Sequence, residues 1–204
     1  MPAKDYFSVS RLVQPRNSRK DLTALRPMFD FIRGDIRRLI QDEPDFLTKA
    51  AVILFNLGLH AVVLYRFSHW LSVHHLGGLA TIAAYCNSLF TGAQISPRAK
   101  IGKGLVIYHP QGMVVGATST IGEFCTLTQT NMIGQRYGRN DRPVIGDHFY
   151  AGAGAKIMGT IRIGNHVRVG ANAVVLESLP DHVTAVGIPA RVIPTSKKSG
   201  PKAD

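Results

Sequence analysis

The chain has 204 residues, 45% of them hydrophobic, which is enough for one or two domains with a real core. Its two cysteines, Cys86 and Cys125, exclude a disulfide framework and point to a reducing, cytoplasmic setting. The 24 Lys and Arg against 13 Asp and Glu leave a net charge of +11, suited to a polyanionic small molecule or an anionic membrane face; no helix-turn-helix, zinc-finger or RNA-binding signature accompanies it, so nucleic acid is set aside.

Residues 1–20 are polar and basic and lack an apolar signal core, so they read as a flexible arm. A helical domain is expected over 21–92. Leu22, Leu25, Phe29, Ile32, Ile36 and Ile40 recur at helical spacing, with Asp21 as cap and Pro44 closing the segment. Further helices are expected over 46–58, 61–75 and 78–91. Residues 50–65 and 76–97 carry no charge. The first stretch is shorter than the roughly 20 apolar residues of a spanning helix, and the second is broken by glycines and polar residues. A buried bundle or an oligomer contact is expected, with docking on a membrane surface as the alternative. His69, His74 and His75 have no acidic or cysteine partners nearby in sequence, so they suggest a surface or interface role and no metal site.

From residue 93 to 193 the pattern changes. An aliphatic residue recurs every six positions at Ile95, Ile101, Ile107, and again from Val115 through Ile121, Leu127 and Ile133. It resumes at Ile145, Ala151, Ile157, Ile163 and Val169. A small or aliphatic residue follows four positions later, as at Ala99, Ser119, Cys125, Asn131, Ala155, Val167 and Ala173. This period predicts a parallel β-helix, one short strand and one corner per hexad, with the aliphatic side chain pointing inward. The fold class is therefore α+β, helices followed by β-helix, and proteins of this kind are mostly acyl- and nucleotidyl-transferases. His148 and His166 share one hexad position and are expected to face outward. The tail 194–204 reads as solvated.

The period breaks twice. Ile107 to Val115 spans eight residues, so the stretch around His109-Pro110-Gln111-Gly112 holds an insertion. Ile133 to Ile145 spans twelve, and Arg139 cannot fill the inward place, so 135–143 is expected to leave the coil as a loop. Loops on a rigid scaffold are where chemistry concentrates.

These segments together, IRGDIRRLIQDEPDF, LYRFSHWL, ISPRAKIGKGLVIYHPQGMVVGATSTIG, the Asp-Arg-Pro loop and VGIPARVI, resemble the serine acetyltransferase family over about 30–193. The resemblance implies a left-handed β-helix, a homotrimer or a hexamer paired through the helical domain, acetyl-CoA as donor, no metal, and a site between subunits. It makes His109 the general base, for which imidazole has a suitable pKa. The family's orienting aspartate is Gln94 here, which can accept a hydrogen bond but supplies no charge. The aspartate that meets the serine amino group is Tyr108. The family's Asp-Arg-His-Pro reads Asp141-Arg142-Pro143, which keeps Asp141 as an acceptor contact and Arg142 for an acceptor carboxylate and loses a histidine. Gly134, Gln135, Ala153 and Ala171 match positions lining the pantetheine groove. Arg168 and Arg191, with Lys197 and Lys198, are placed to meet the phosphates of CoA.

These departures weigh against serine. They put a sugar or glycan precursor first as acceptor, in polysaccharide biosynthesis, with the enzyme in the cytoplasm or at the inner membrane face. Serine O-acetylation for cysteine synthesis comes second, and a catalytically weakened trimeric scaffold third.

Overall fold

The computed structural model describes residues 25–136 and 141–193. The expectations for the arm, for Asp21 as a cap, and for Lys197, Lys198 and the tail lie outside the described residues.

Four helices come first: α1 (Leu25–Leu39), α2 (Phe46–Phe55), α3 (Leu57–Val73) and α4 (Gly77–Thr91). The expected second helix stops short of residue 58, and the third begins at Leu57 instead of 61. Asn56 is the reason: its side chain accepts from the Leu59 backbone N–H at 2.8 Å and caps α3. α2 is likewise capped by Asp45. Gly58 lets α3 start against the coil, since a Cβ there would lie 1.9 Å from the Ile107 carbonyl oxygen. α3 is the buried helix, contributing Leu59, Ala61, Val62, Tyr65 and Leu71 to the interior. α2 buries none of its residues and leaves Phe46, Leu47, Leu54 and Phe55 exposed, so the expected buried bundle does not extend to it. Among the described residues no single helix is long and apolar enough to cross a membrane.

The rest is a three-sided β-helix. The first face stacks β1 (Gln94–Ile95), β4 (Val114–Val115), β7 (Met132–Gly134), β10 (Lys156–Met158) and β13 (Val174–Val175). The second stacks β2 (Lys100–Ile101), β5 (Thr120–Ile121), β8 (Val144–Ile145) and β11 (Arg162–Ile163). The third stacks β3 (Val106–Ile107), β6 (Thr126–Leu127), β9 (Tyr150–Ala151), β12 (Arg168–Val169) and β14 (Thr184–Val186), closed by antiparallel β15 (Arg191–Ile193). The hexad residues named above align in columns, Ile95 on Val115 on Ile133 on Ile157 and Ile101 on Ile121 on Ile145 on Ile163, all buried. Each such aliphatic side chain removed from water contributes about 1.5–3 kcal/mol.

α1 and α3 are fastened to this coil by buried charge. Arg66 pairs with Asp35 at 2.9 Å, and their side chains are 4% and 0% exposed. Arg66 also donates to the carbonyls of Ile101 and Gly102, each at 2.6 Å, and Asp35 accepts from the Leu105 N–H at 2.8 Å. Every polar atom of the pair thus meets a partner, Nε and Oδ2 in each other and the rest on the first coil as well, which offsets the cost of burying the charges.

Candidate active site

The corner joining the third face to the first repeats down the molecule. Thr130 N–H donates to Gln111, Gly154 N–H to Gln129 and Asn172 N–H to Ala153, so these corners stack in register. Gly112 sits over Thr130 in this column. The uppermost corner therefore has two residues more than those below: Tyr108 N–H stays in register, donating to the Leu127 carbonyl at 2.9 Å, and His109 and Pro110 are the extra pair before Gln111. Tyr108 is 49% exposed. His109 is exposed and held at φ +55°, a left-handed conformation uncommon for residues other than glycine. Its ring has no hydrogen-bond partner among the described residues, so the imidazole is presented outward.

Gln94 does not meet it. No hydrogen bond joins the Gln94 and His109 side chains. Gln94 instead lines a groove with Tyr85 and Ser88 of α4 and Val114 of β4. The orienting contact expected from the sequence is therefore not formed within this chain.

The twelve-residue break falls at the corner joining the first face to the second. Its described part, residues 135–136 and 141–143, carries no strand, and the second face resumes at β8 in register with β5. Asp141 is buried. Its carboxylate accepts from the Arg136 backbone N–H at 2.9 Å and the Thr160 hydroxyl at 3.0 Å, while its carbonyl accepts from the Thr118 hydroxyl at 2.6 Å. It clasps the base of the loop, whereas Arg142 beside it is exposed and available. Sequence reasoning missed Arg136. Its guanidinium lies across Gly159, donating to the Leu176 carbonyl at 2.5 Å, and its buried Nε has no partner. Gly159, at φ +117° two residues beyond a hexad start, was the available signal.

The small residues lie on two edges of the first face. Ala153 and Ala171 lie below His109 on its corner column, and Gly134, followed by Gln135, lies at the opposite edge with the loop. Arg168 is exposed on the third face with its guanidinium 5.2 Å from the Tyr150 ring centroid, and Arg191 on β15 donates to the Ala190 carbonyl. Among the described residues there is no group of three or more His, Cys, Asp or Glu side chains placed to hold a metal ion.

A coil of this kind with an outward imidazole defines a hexapeptide acyltransferase, and the family profile described as bacterial transferase hexapeptide (six repeats) matches residues 142–177. The chain is 35% identical over 179 residues to the serine acetyltransferase of Synechococcus elongatus, spanning 87% of this chain and 72% of the relative. The Neisseria gonorrhoeae serine acetyltransferase, solved in complex with serine, superposes with a TM-score of 0.76 at 30% identity, covering 81% of this chain and 69% of that one. A serine acetyltransferase solved in complex with CoA gives a TM-score of 0.76 at 33% identity, covering 82% and 70%. The chain belongs to the serine acetyltransferase family. It has that family's left-handed β-helix and is an acetyl-CoA-dependent O-acetyltransferase.

Proposed function

We propose that the chain transfers the acetyl group of acetyl-CoA to the hydroxyl of L-serine, with His109 as general base, at a site shared by neighbouring copies in a homotrimer. The observation that carries this reading is the likeness to serine acetyltransferases, which extends over the helices as well as the coil. On Gln94, Tyr108 and the missing loop histidine together, a sugar comes first and serine second. The relatives reverse that order.

The chemistry needs few groups. The serine hydroxyl oxygen attacks the thioester carbonyl as His109 takes its proton. The tetrahedral intermediate collapses, the carbon–sulfur bond breaks, and the proton passes to the CoA thiolate. Arg142 is the exposed cation suited to the serine carboxylate. The shared site is supported by the split of candidates between two edges of the first face, since a second copy can set its loop edge against the His109 edge. The unpaired cysteines accord with a cytoplasmic setting.

A neutral hydroxyl acceptor is the second reading, favoured by Tyr108, a half-exposed phenol where the family's aspartate meets an ammonium. Thiol release from acetyl-CoA, measured with serine, with a panel of sugars and with neither, separates the two. Serine-dependent release is the expected result, and release with sugars alone would replace the first reading by the second.

A further inference from the structure

The groove between α1 and the corner joining the second face to the third belongs to neither set of candidates above. It measures about 660 Å³. α1 lines it with Arg33, Arg37 and Arg38, and the corner with Lys103, Phe124 and His148. Both walls are fixed. Arg38 is committed to the carbonyls of Gly104 and Cys125 and to the Thr126 hydroxyl, and the Asp35–Arg66 pair holds the same helix. On the other wall Phe124 covers Gly104 and stacks on His148 at 5.3 Å between centroids, which stacks on His166 at 4.5 Å, which stacks on His182 at 4.7 Å.

The charge on these walls is not spent. Arg33 and Arg37 are exposed, one turn apart, and neither has a hydrogen-bond or ion-pair partner among the described residues. Among the described residues Lys103 pairs only with Glu123, at 3.7 Å with both side chains about half exposed, and Asp30 is the one carboxylate lining the groove. Arg37 and Arg38, in the last turn, are accounted for by the helix dipole. Arg33 is not. Like charges one turn apart destabilise a helix that gains nothing from them.

We infer that this groove binds a phosphate group, gripped by Arg33, Arg37 and Lys103 with His148 at its rim. Guanidinium forks match phosphate oxygens in pairs, and fixed walls lower the ordering cost. The site is on a different corner from the acetyl-transfer candidates, so it would act beside the reaction and does not rest on the choice of acceptor. Arg33 and Arg37 also border an apolar stripe of Phe29, Ile32 and Ile36 on the outer side of α1. A free phosphate compound and a lipid headgroup both present the required chemistry.

Two arms distinguish these sources. Inorganic pyrophosphate is titrated calorimetrically into the protein with CoA saturating, so that the donor site is occupied. In parallel, co-sedimentation is measured with vesicles of phosphatidylglycerol and phosphatidylcholine, against phosphatidylcholine alone. The double substitution Arg33→Gln/Arg37→Gln and the single Lys103→Gln each lie on exposed side chains outside the Arg38 and Asp35 contacts. The double variant is expected to weaken binding by about tenfold or more, the loss of at least one charge-assisted contact. Arg98→Gln, exposed on another corner, is expected to leave binding unchanged. Pyrophosphate binding with this pattern supports a free phosphate ligand, and binding confined to phosphatidylglycerol vesicles with the same pattern supports a lipid headgroup. No binding to either probe, or binding insensitive to the three substitutions, overturns the inference.

Discussion

At the scale of single residues the proposed reaction rests on an imidazole that the coil expels. His109 is free of partners because two extra residues leave no place for it inside, and a base without a competing hydrogen bond is ready for the acceptor's proton. His109→Ala should lower turnover by roughly two to four orders of magnitude, with CoA affinity by calorimetry nearly unchanged. Wild-type turnover in that variant would move the base elsewhere. Gln94 and Tyr108 carry the opposite expectation. Both are neutral where the family has acids; at Tyr108, where that acid meets the amino group, a bound serine ammonium would be desolvated without an ion-paired contact. Tyr108→Asp should lower the KM for serine, and an unchanged or raised KM would show that this position does not meet the amino group. His109 was legible in the sequence because it breaks a strict period. The true surroundings of Gln94 were not, because they depend on where α4 docks, and no spacing within the coil records that. Asp141 illustrates the same limit: its sequence neighbours suggest an acceptor contact, while Thr118 and Thr160, brought near by the stacking of coils, turn it into a clasp.

At the scale of elements, the helices and the coil were read with unequal success for one physical reason. A hexad start is buried whatever its neighbours do, so Ile95 through Val169 fall into columns as the period requires. A helix is buried only if something packs on it, and α2 has the apolar composition without the partner. The fastening of α1 and α3 left no readable pattern beyond a charge within each helix, yet it governs their position. Asp35→Ala should destabilise the protein by about 3–5 kcal/mol in denaturant unfolding, because it leaves Arg66 buried and uncompensated. A loss below about 1 kcal/mol, the value of a surface pair, would show that the pair is not desolvated as described. His69 adds a dependence on pH. Burial lowers its pKa, partly countered by its hydrogen bond to the Pro97 carbonyl at 2.8 Å. Its unfolded value is near 6.5, so below about pH 6.5 the unfolded chain binds more protons than the folded one. The stability that goes with the neutral ring is fully present above that pH and is lost as pH falls towards the lowered folded value. His69→Gln should flatten the fall of Tm with acidification over that window, and an unaltered slope would assign the acid sensitivity to another group.

At the scale of the whole molecule, the β-helix is a rigid prism that sets its two candidate edges apart on one face, and the helices cap its first coil. In the proposed function such a prism would complete its site by pairing the His109 edge of one copy with the loop edge of the next, which would make catalysis a property of the assembly. The family and the donor follow from likeness over most of the chain, whereas the acceptor is where this chain departs from its relatives. The most direct test is therefore the initial rate of thiol release from acetyl-CoA by the assembled protein, with and without L-serine. The account predicts serine-dependent release that falls by roughly two to four orders of magnitude in His109→Ala. Release that is indifferent to serine, or no release with serine at any concentration while CoA binds, would contradict it.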